Sequence, residues 1–146
     1  MDNKELVERY PFLLPRNVFT DKIPDNYNYE WTLLDDMPDG WRKAFGEQLC
    51  EELRLALLNA DDVDLFEYRV MQIKEKYGSL RWYGNFYNKE INEILENYGE
   101  LSEHICIRCG APATKMSTGW ISPWCDSCAK MMEKYENFKN ISPLTN

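Results

Sequence analysis

A chain of 146 residues, 44% hydrophobic and 14% aromatic, is long enough for one core with a small appendage and too apolar for disorder. Its net charge of −8 argues against binding phosphates through the bulk of its surface. No apolar run approaches the ~20 residues of a membrane span. The charged start, Met1 to Glu5, has no apolar stretch behind it, so a cytoplasmic setting without membrane contact is expected.

Lys4 to Tyr10 reads as a short helix stopped by Pro11, and Phe12-Leu13-Leu14-Pro15 as an apolar turn tucked against the core. Residues 16–30 read as a loop, although Tyr27, Tyr29 and Trp31 alternate as a strand would. The strongest helix runs from Pro38 to about Asn59. Pro38 suits its first position and Asp35, Asp36 and Asp39 suit its positive end. Trp41, Phe45, Leu49, Leu53 and Leu57 recur every four residues as a core-facing stripe, with Cys50 a small buried residue beside them. Asn59-Ala60-Asp61-Asp62 ends it.

Leu65 to Lys74, a turn at Lys76 to Ser79, and Leu80 to Gly84 read as an antiparallel hairpin. Leu80 and Trp82 point to its core face, Arg81 and Tyr83 to solvent or a partner. A second helix starts at Asn88, with Ile91, Ile94, Leu95, Tyr98 and Leu101 as its buried stripe and Gly99 as a weak point.

Four cysteines follow as Cys106-x2-Cys109 and Cys125-x2-Cys128, separated by fifteen residues, a spacing that few readings other than a four-cysteine zinc site fit. Gly110 and Pro112 shape the exit from the first pair. Trp120, Ile121 and Trp124 lead back to the second pair, and Ala129 to Phe138 reads as a helix with Met131 or Met132, Tyr135 and Phe138 on one face. Knuckle, hairpin and helix in that order are treble-clef-like, with a zinc ribbon as the near alternative. Four thiolates close a tetrahedral sphere, so the Zn2+ is expected to be structural. The one histidine, His104, is either a replacement ligand or an ordinary polar residue at a helix end. The fold class expected is α+β: a helix–hairpin–helix body over residues 1–104 and a zinc module over 105–146, rigidly docked because the joint lacks a Pro or Gly linker.

Charge divides along the same line. Residues 1–105 carry 22 acidic and 12 basic side chains, and residues 106–146 carry 3 and 5. Zinc held by four thiolates removes the module's excess of two, leaving an acidic body beside a near-neutral module. No Ser/His/Asp set, phosphate-cradling glycine loop or paired histidine ligands stand in the chain, so binding rather than catalysis is expected. The acidic body favours a protein partner with a basic surface, through Asp35, Asp36 and Asp39 or through Asp61, Asp62 and Asp64. The plainer roles of these aspartates are helix-dipole and loop residues. The alternative is nucleic-acid binding through the module, with Arg108, Lys115, Lys130, Lys134 and Lys139 for charge and Trp120 and Trp124 for stacking. Against it, the two tryptophans are expected to cover the metal site and dock it on the body.

Several pieces in order are Tyr10 to Pro15, Gly40-Trp41, Gln72 to Tyr83, Ile105 to Pro112, Gly119-Trp120 and Cys125 to Cys128. With these the chain resembles a group of small uncharacterised proteins of bacteriophage genomes and prophages. The resemblance implies a phage origin, a bacterial host cytoplasm and a metal-bearing C-terminus held by the four cysteines. An inhibitor or adaptor acting on a host protein is the function expected.

Overall fold

Asp2 and Glu5 close the first helix at its start. Glu5 N–H donates to Asp2 Oδ1 at 2.8 Å and Asp2 N–H to Glu5 Oε2 at 3.1 Å, a reciprocal cap that satisfies two orphan amides. The computed structural model describes residues 1–142, so residues 143–146 of the expected module lie outside it. Helix α1 (Asn3–Arg9) buries Leu6 and Val7 and gives way to a 3-10 turn at Pro11–Leu13. That turn sends Phe12 into the core, edge-on to Tyr68 and Trp82 with ring centroids 5.6 and 6.5 Å away. The alternating aromatics that follow form an ordered loop. Tyr29 has a φ of 65°, and Tyr27 Oη donates to the Trp31 carbonyl at 2.6 Å.

The long helix is present but not uniform. It consists of α2 (Asp39–Trp41), a π-helical turn (Arg42–Gly46) and α3 (Glu47–Asn59). The cause is legible in its stripe. Apolar residues spaced by four overshoot a 3.6-residue turn by about 40° at each step. A wider turn closed by i→i+5 bonds takes up part of that drift. Trp41, Phe45, Leu49, Leu53 and Leu57 are all buried.

The expected strand over Leu65 to Lys74 starts later than its composition suggests. Asp64 Oδ1 accepts the Phe66 amide at 2.7 Å, and the Asp64 carbonyl accepts those of Glu67 and Tyr68. This local turn outcompetes the β-propensity of Phe66 and Tyr68. Strand β1 is therefore Val70–Lys76, with an irregularity at Met71, and it pairs antiparallel with β2 (Ser79–Gly84). Tyr77 and Gly78, with φ of 53° and 82°, make the two-residue connection whose twist suits a hairpin. Leu80 and Trp82 face the core and Arg81 and Tyr83 face outward, as the alternation predicts. Trp82 Nε1–H donates to the buried Tyr68 hydroxyl at 3.2 Å.

Helix α4 (Lys89–Ser102) is capped by Asn88, whose Oδ1 accepts the Ile91 amide at 2.8 Å. It runs through Gly99 without a break. Ser102 locks its end to the hairpin, its Oγ accepting the Leu80 amide at 2.9 Å and donating to the Gly99 carbonyl at 2.6 Å. Ile91 and Tyr98 are buried, with Ile94, Leu95 and Leu101 packed half-exposed against the core.

The last third forms its own small sheet, order β4-β3-β5, from β3 (Lys115–Ser117), β4 (Pro123–Trp124) and β5 (Phe138–Asn140). Helix α5 is only Asp126–Met131, not the longer segment reaching Phe138 that its apolar spacing suggests. Met131 and Tyr135 are exposed instead of sharing a buried face. The chain leaves the helix because β3 offers it a partner. Ser117 pairs with Phe138, and the Asn137 carbonyl and Glu136 carboxylate accept the Thr118 and Gly119 amides. Phe138 then stands edge-on to Trp124 at 6.1 Å. The molecule is thus mixed helix and sheet, with an α+β body and a cysteine-bearing C-terminal third.

Candidate metal centre

Two turns present the four cysteines to one point. In the first, the Ala111 carbonyl accepts the Cys106 amide at 2.7 Å and the Cys106 carbonyl accepts the Gly110 amide at 3.0 Å. Gly110 supplies the φ of 85° that reverses the chain there. In the second, Cys125 is the N-cap of α5, and its Sγ accepts the Cys128 amide at 3.4 Å. The β3–β4 hairpin joins the two, tied to the first turn by Ile107 N–H donating to the Pro123 carbonyl at 2.9 Å.

All four sulfurs lie within 4.8 Å of one another, and Cys109 and Cys125 Sγ are 3.6 Å apart. A disulfide would place two of them about 2.05 Å apart. Four thiolates about 2.3 Å from a common metal would stand about 3.8 Å apart, close to the one short pair and inside the limit for all four. The cluster can therefore hold a metal ion. Cys106 and Cys128 are buried and Cys109 and Cys125 half-buried, so the protein wraps most of the cluster. The thiols pull against one another. A backbone hydrogen bond from Ala111 brings Cys109 down to about 7, while burial pushes Cys125 and Cys128 up. A divalent cation resolves that conflict by replacing the protons of all four. His104 stands apart from the cluster, its backbone carbonyl accepting the Ala113 amide at 2.8 Å. Cys50 lies in the α3 core, where burial pushes its thiol up and leaves it inert.

The centre is seated directly on the body. Gly40 N–H donates to the Ile107 carbonyl at 2.9 Å, and Trp41 Nε1–H donates to the Ile105 carbonyl at 3.0 Å. A Cβ on Gly40 would lie 2.1 Å from the Cys106 carbonyl oxygen, and one on Gly110 would lie 2.7 Å from the Gly40 carbonyl oxygen. The two glycines let backbone meet backbone. Gly40 was open to suspicion from sequence as a glycine inside a helix start, where Ala is favoured by about 1 kcal/mol. Its partner, more than sixty residues later, was not. A second contact lies at the hairpin turn, where a Cβ on Gly78 would meet Ile121 at 3.3 Å.

Trp124 belongs inside the module, its indole N–H donating to Ser122 Oγ at 2.8 Å. Trp120 does not cover the metal site. It is 71% exposed and reaches across to Glu75 of β1, donating to Oε2 at 3.3 Å.

The aspartates singled out from sequence fall in two separate segments, one leading into α2 and one between α3 and β1. Asp35 caps the 3-10 turn Leu33–Asp36 through the Thr32 amide at 2.7 Å and pairs with Arg42 at 2.5 Å. Burial, aided by Asp35, pushes the Asp36 carboxyl up. Asp39 is exposed in the first turn of α2. Asp61, Asp62 and Asp64 are exposed between α3 and β1, where Asp62 accepts from Asn88 Nδ2 at 3.3 Å and Asp64 makes the turn described above. No helix among the described residues is long and apolar enough to cross a membrane. No family model, curated protein or solved structure matches this chain.

Proposed function

We propose that this is a phage-type accessory protein that acts in a bacterial host cytoplasm by binding another macromolecule. Zinc is its structural metal and the C-terminal third is a treble clef. The order of elements supports the treble clef: a cysteine turn, the β3–β4 hairpin, then α5 opening on the second cysteine pair. Four sulfurs fill a tetrahedron without leaving a position for water, so the metal does not act on substrate. The proposed partner is a host protein with a basic surface, bound by inhibition or adaptation.

The observation that carries this reading is the charge of the body, 22 acidic against 12 basic side chains in residues 1–105. A surface of that sign speeds encounter with a basic partner and repels phosphates. Two of the aspartates named from sequence already serve the fold: Asp35 and Asp64 are engaged in caps and turns. They contribute to the field more than to contacts.

The test is capture from bacterial extract by the zinc-loaded chain, repeated across ionic strength. A partner that is retained at low salt and released as salt rises supports the reading. No specific partner at any salt overturns it. One observation favours a second reading, nucleic-acid binding by the module. The largely exposed Trp120 offers a face on which a base could stack. A gel shift at low salt with single strands would decide for it, and no shift would end it.

A further inference from the structure

On the outer edge of β2 one rung is left without a partner. In an antiparallel ladder, residues alternate between those bonded to the neighbouring strand and those whose N–H and C=O point away from it. The two-residue turn makes Lys76 and Ser79 a bonded pair, so Lys74 with Arg81 and Gln72 with Tyr83 are bonded pairs as well. Leu80 and Trp82 therefore turn their backbone groups away from β1. Ser102 meets the Leu80 amide, which confirms the phase. Among the described residues nothing meets the backbone N–H of Trp82.

This free rung opens into a groove of about 390 Å³ between β2 and α4. That is within the ~300–1,000 Å³ of ordinary ligand sites. Leu95 contributes apolar surface to its lining. Glu96 and Glu100 line it from α4 and Glu103 from the cap just beyond, against the single cation Arg81. Spaced by four and three, the glutamates share one helix face. All three are exposed, and none enters an ion pair among the described residues. Tyr87, half exposed, adds an aromatic face. Tyr83 is already occupied, with Lys74 Nζ 5.8 Å above its ring.

We infer that this groove takes an extended, Lys/Arg-bearing segment of a partner protein, added as a strand at the edge of β2. The backbone of the segment bonds to the Trp82 rung, and its cationic side chains on one face meet the α4 glutamates and the Tyr87 ring. A second copy of this chain is a poor occupant, because at −8 it is repelled by the same carboxylates. The inference rests on the acidic-binder reading and gives it an address.

The probe is a short end-blocked peptide alternating arginine and valine, labelled with fluorescein and titrated into the zinc-loaded full chain. Three observations are expected. The peptide binds, and exchange of the Trp82 amide slows at saturation. Glu96→Gln with Glu100→Gln, both at exposed helix positions, weakens binding by about tenfold. Asp61→Asn with Asp62→Asn removes the same charge elsewhere and weakens it by less than about twofold. Equal weakening by the two double variants would overturn the groove while leaving the acidic-body reading intact. So would an unchanged Trp82 amide. If the peptide does not bind at all, the groove is excluded, and salt-sensitive capture of a basic partner would still separately uphold the broader reading. A peptide N-methylated along the edge that faces β2 should lose binding, and retention of full affinity would also exclude strand addition.

Discussion

Glu51 shows how much one half-buried carboxylate can organise. Arg9 grips it with two bonds of 2.9 and 2.8 Å, Tyr10 Oη donates to it at 2.8 Å, and Arg54 lies at 3.1 Å. It thereby ties α1 to α3. The Arg9 hydrogen bonds hold its carboxyl below the ordinary 4.5, while burial and then Glu51 push Tyr10 up to about 12. The two groups set limits at opposite ends of the pH scale. Glu51 stabilises the fold fully above its ordinary value, and that contribution is lost as pH falls through the lowered one. Tyr10 contributes fully below its ordinary 10, and loses that contribution as pH rises toward about 12. Glu51→Gln should therefore reduce stability at pH 7, by less than about 1 kcal/mol because the cluster is solvent-screened. It should also flatten the decline on the acid side. Urea midpoints at neutral pH and below 4.5 check this. An unchanged acid limb in the variant would show that other carboxylates set it.

At the scale of elements, the joint between α2 and the first cysteine turn is the place to probe. Gly40→Ala gains about 1 kcal/mol in helix propensity. Against that, a Cβ 2.1 Å from the Cys106 carbonyl oxygen forces backbone apart, an overpacking that costs about 3 kcal/mol. The clash wins, so the variant should melt several degrees lower and lose exchange protection at the Gly40 amide. An unchanged melting temperature would mean the joint yields freely. The elements also show which parts of the fold were legible. The hairpin turn at Tyr77-Gly78, the Asn88 cap and the four-cysteine spacing all act through neighbours a few residues away, so their chemistry stands in the local sequence. The π turn was missed, because a stripe spaced by four reads as the ordinary face of an α-helix. Strand β5 and the Asp64 turn were missed because tertiary pairing and a single side-chain bond overrode composition. The Gly40–Ile107 seam and the groove beside β2 depend on residues distant in the chain, and the only local mark of either is a glycine at a helix start.

For the whole molecule, metal is expected to divide the chain into a part that needs it and a part that does not. The body has a continuous core running from Leu6 through Trp82 to Tyr98. The last third has short strands, one short helix and few buried side chains besides Cys106, Ala113, Cys128 and Ala129. Chelation, or Cys128→Ser, should release the ion and abolish amide protection over residues 105–142. Protection in α3 and α4 should persist. Hydrogen exchange with metal analysis reads both. Full protection of the last third in chelated protein would show that packing alone holds it.

The Gly40–Ile107 seam also has a bearing on synthesis. The Trp41 indole has its acceptor 64 residues further along the chain. At about 5–20 residues per second a ribosome needs roughly 3–13 s to supply it. During that interval the N-terminal end of the long helix emerges with its docking groups unmet. The joint can close only once the first cysteine turn has left the exit tunnel, so the two halves of the molecule meet late in synthesis.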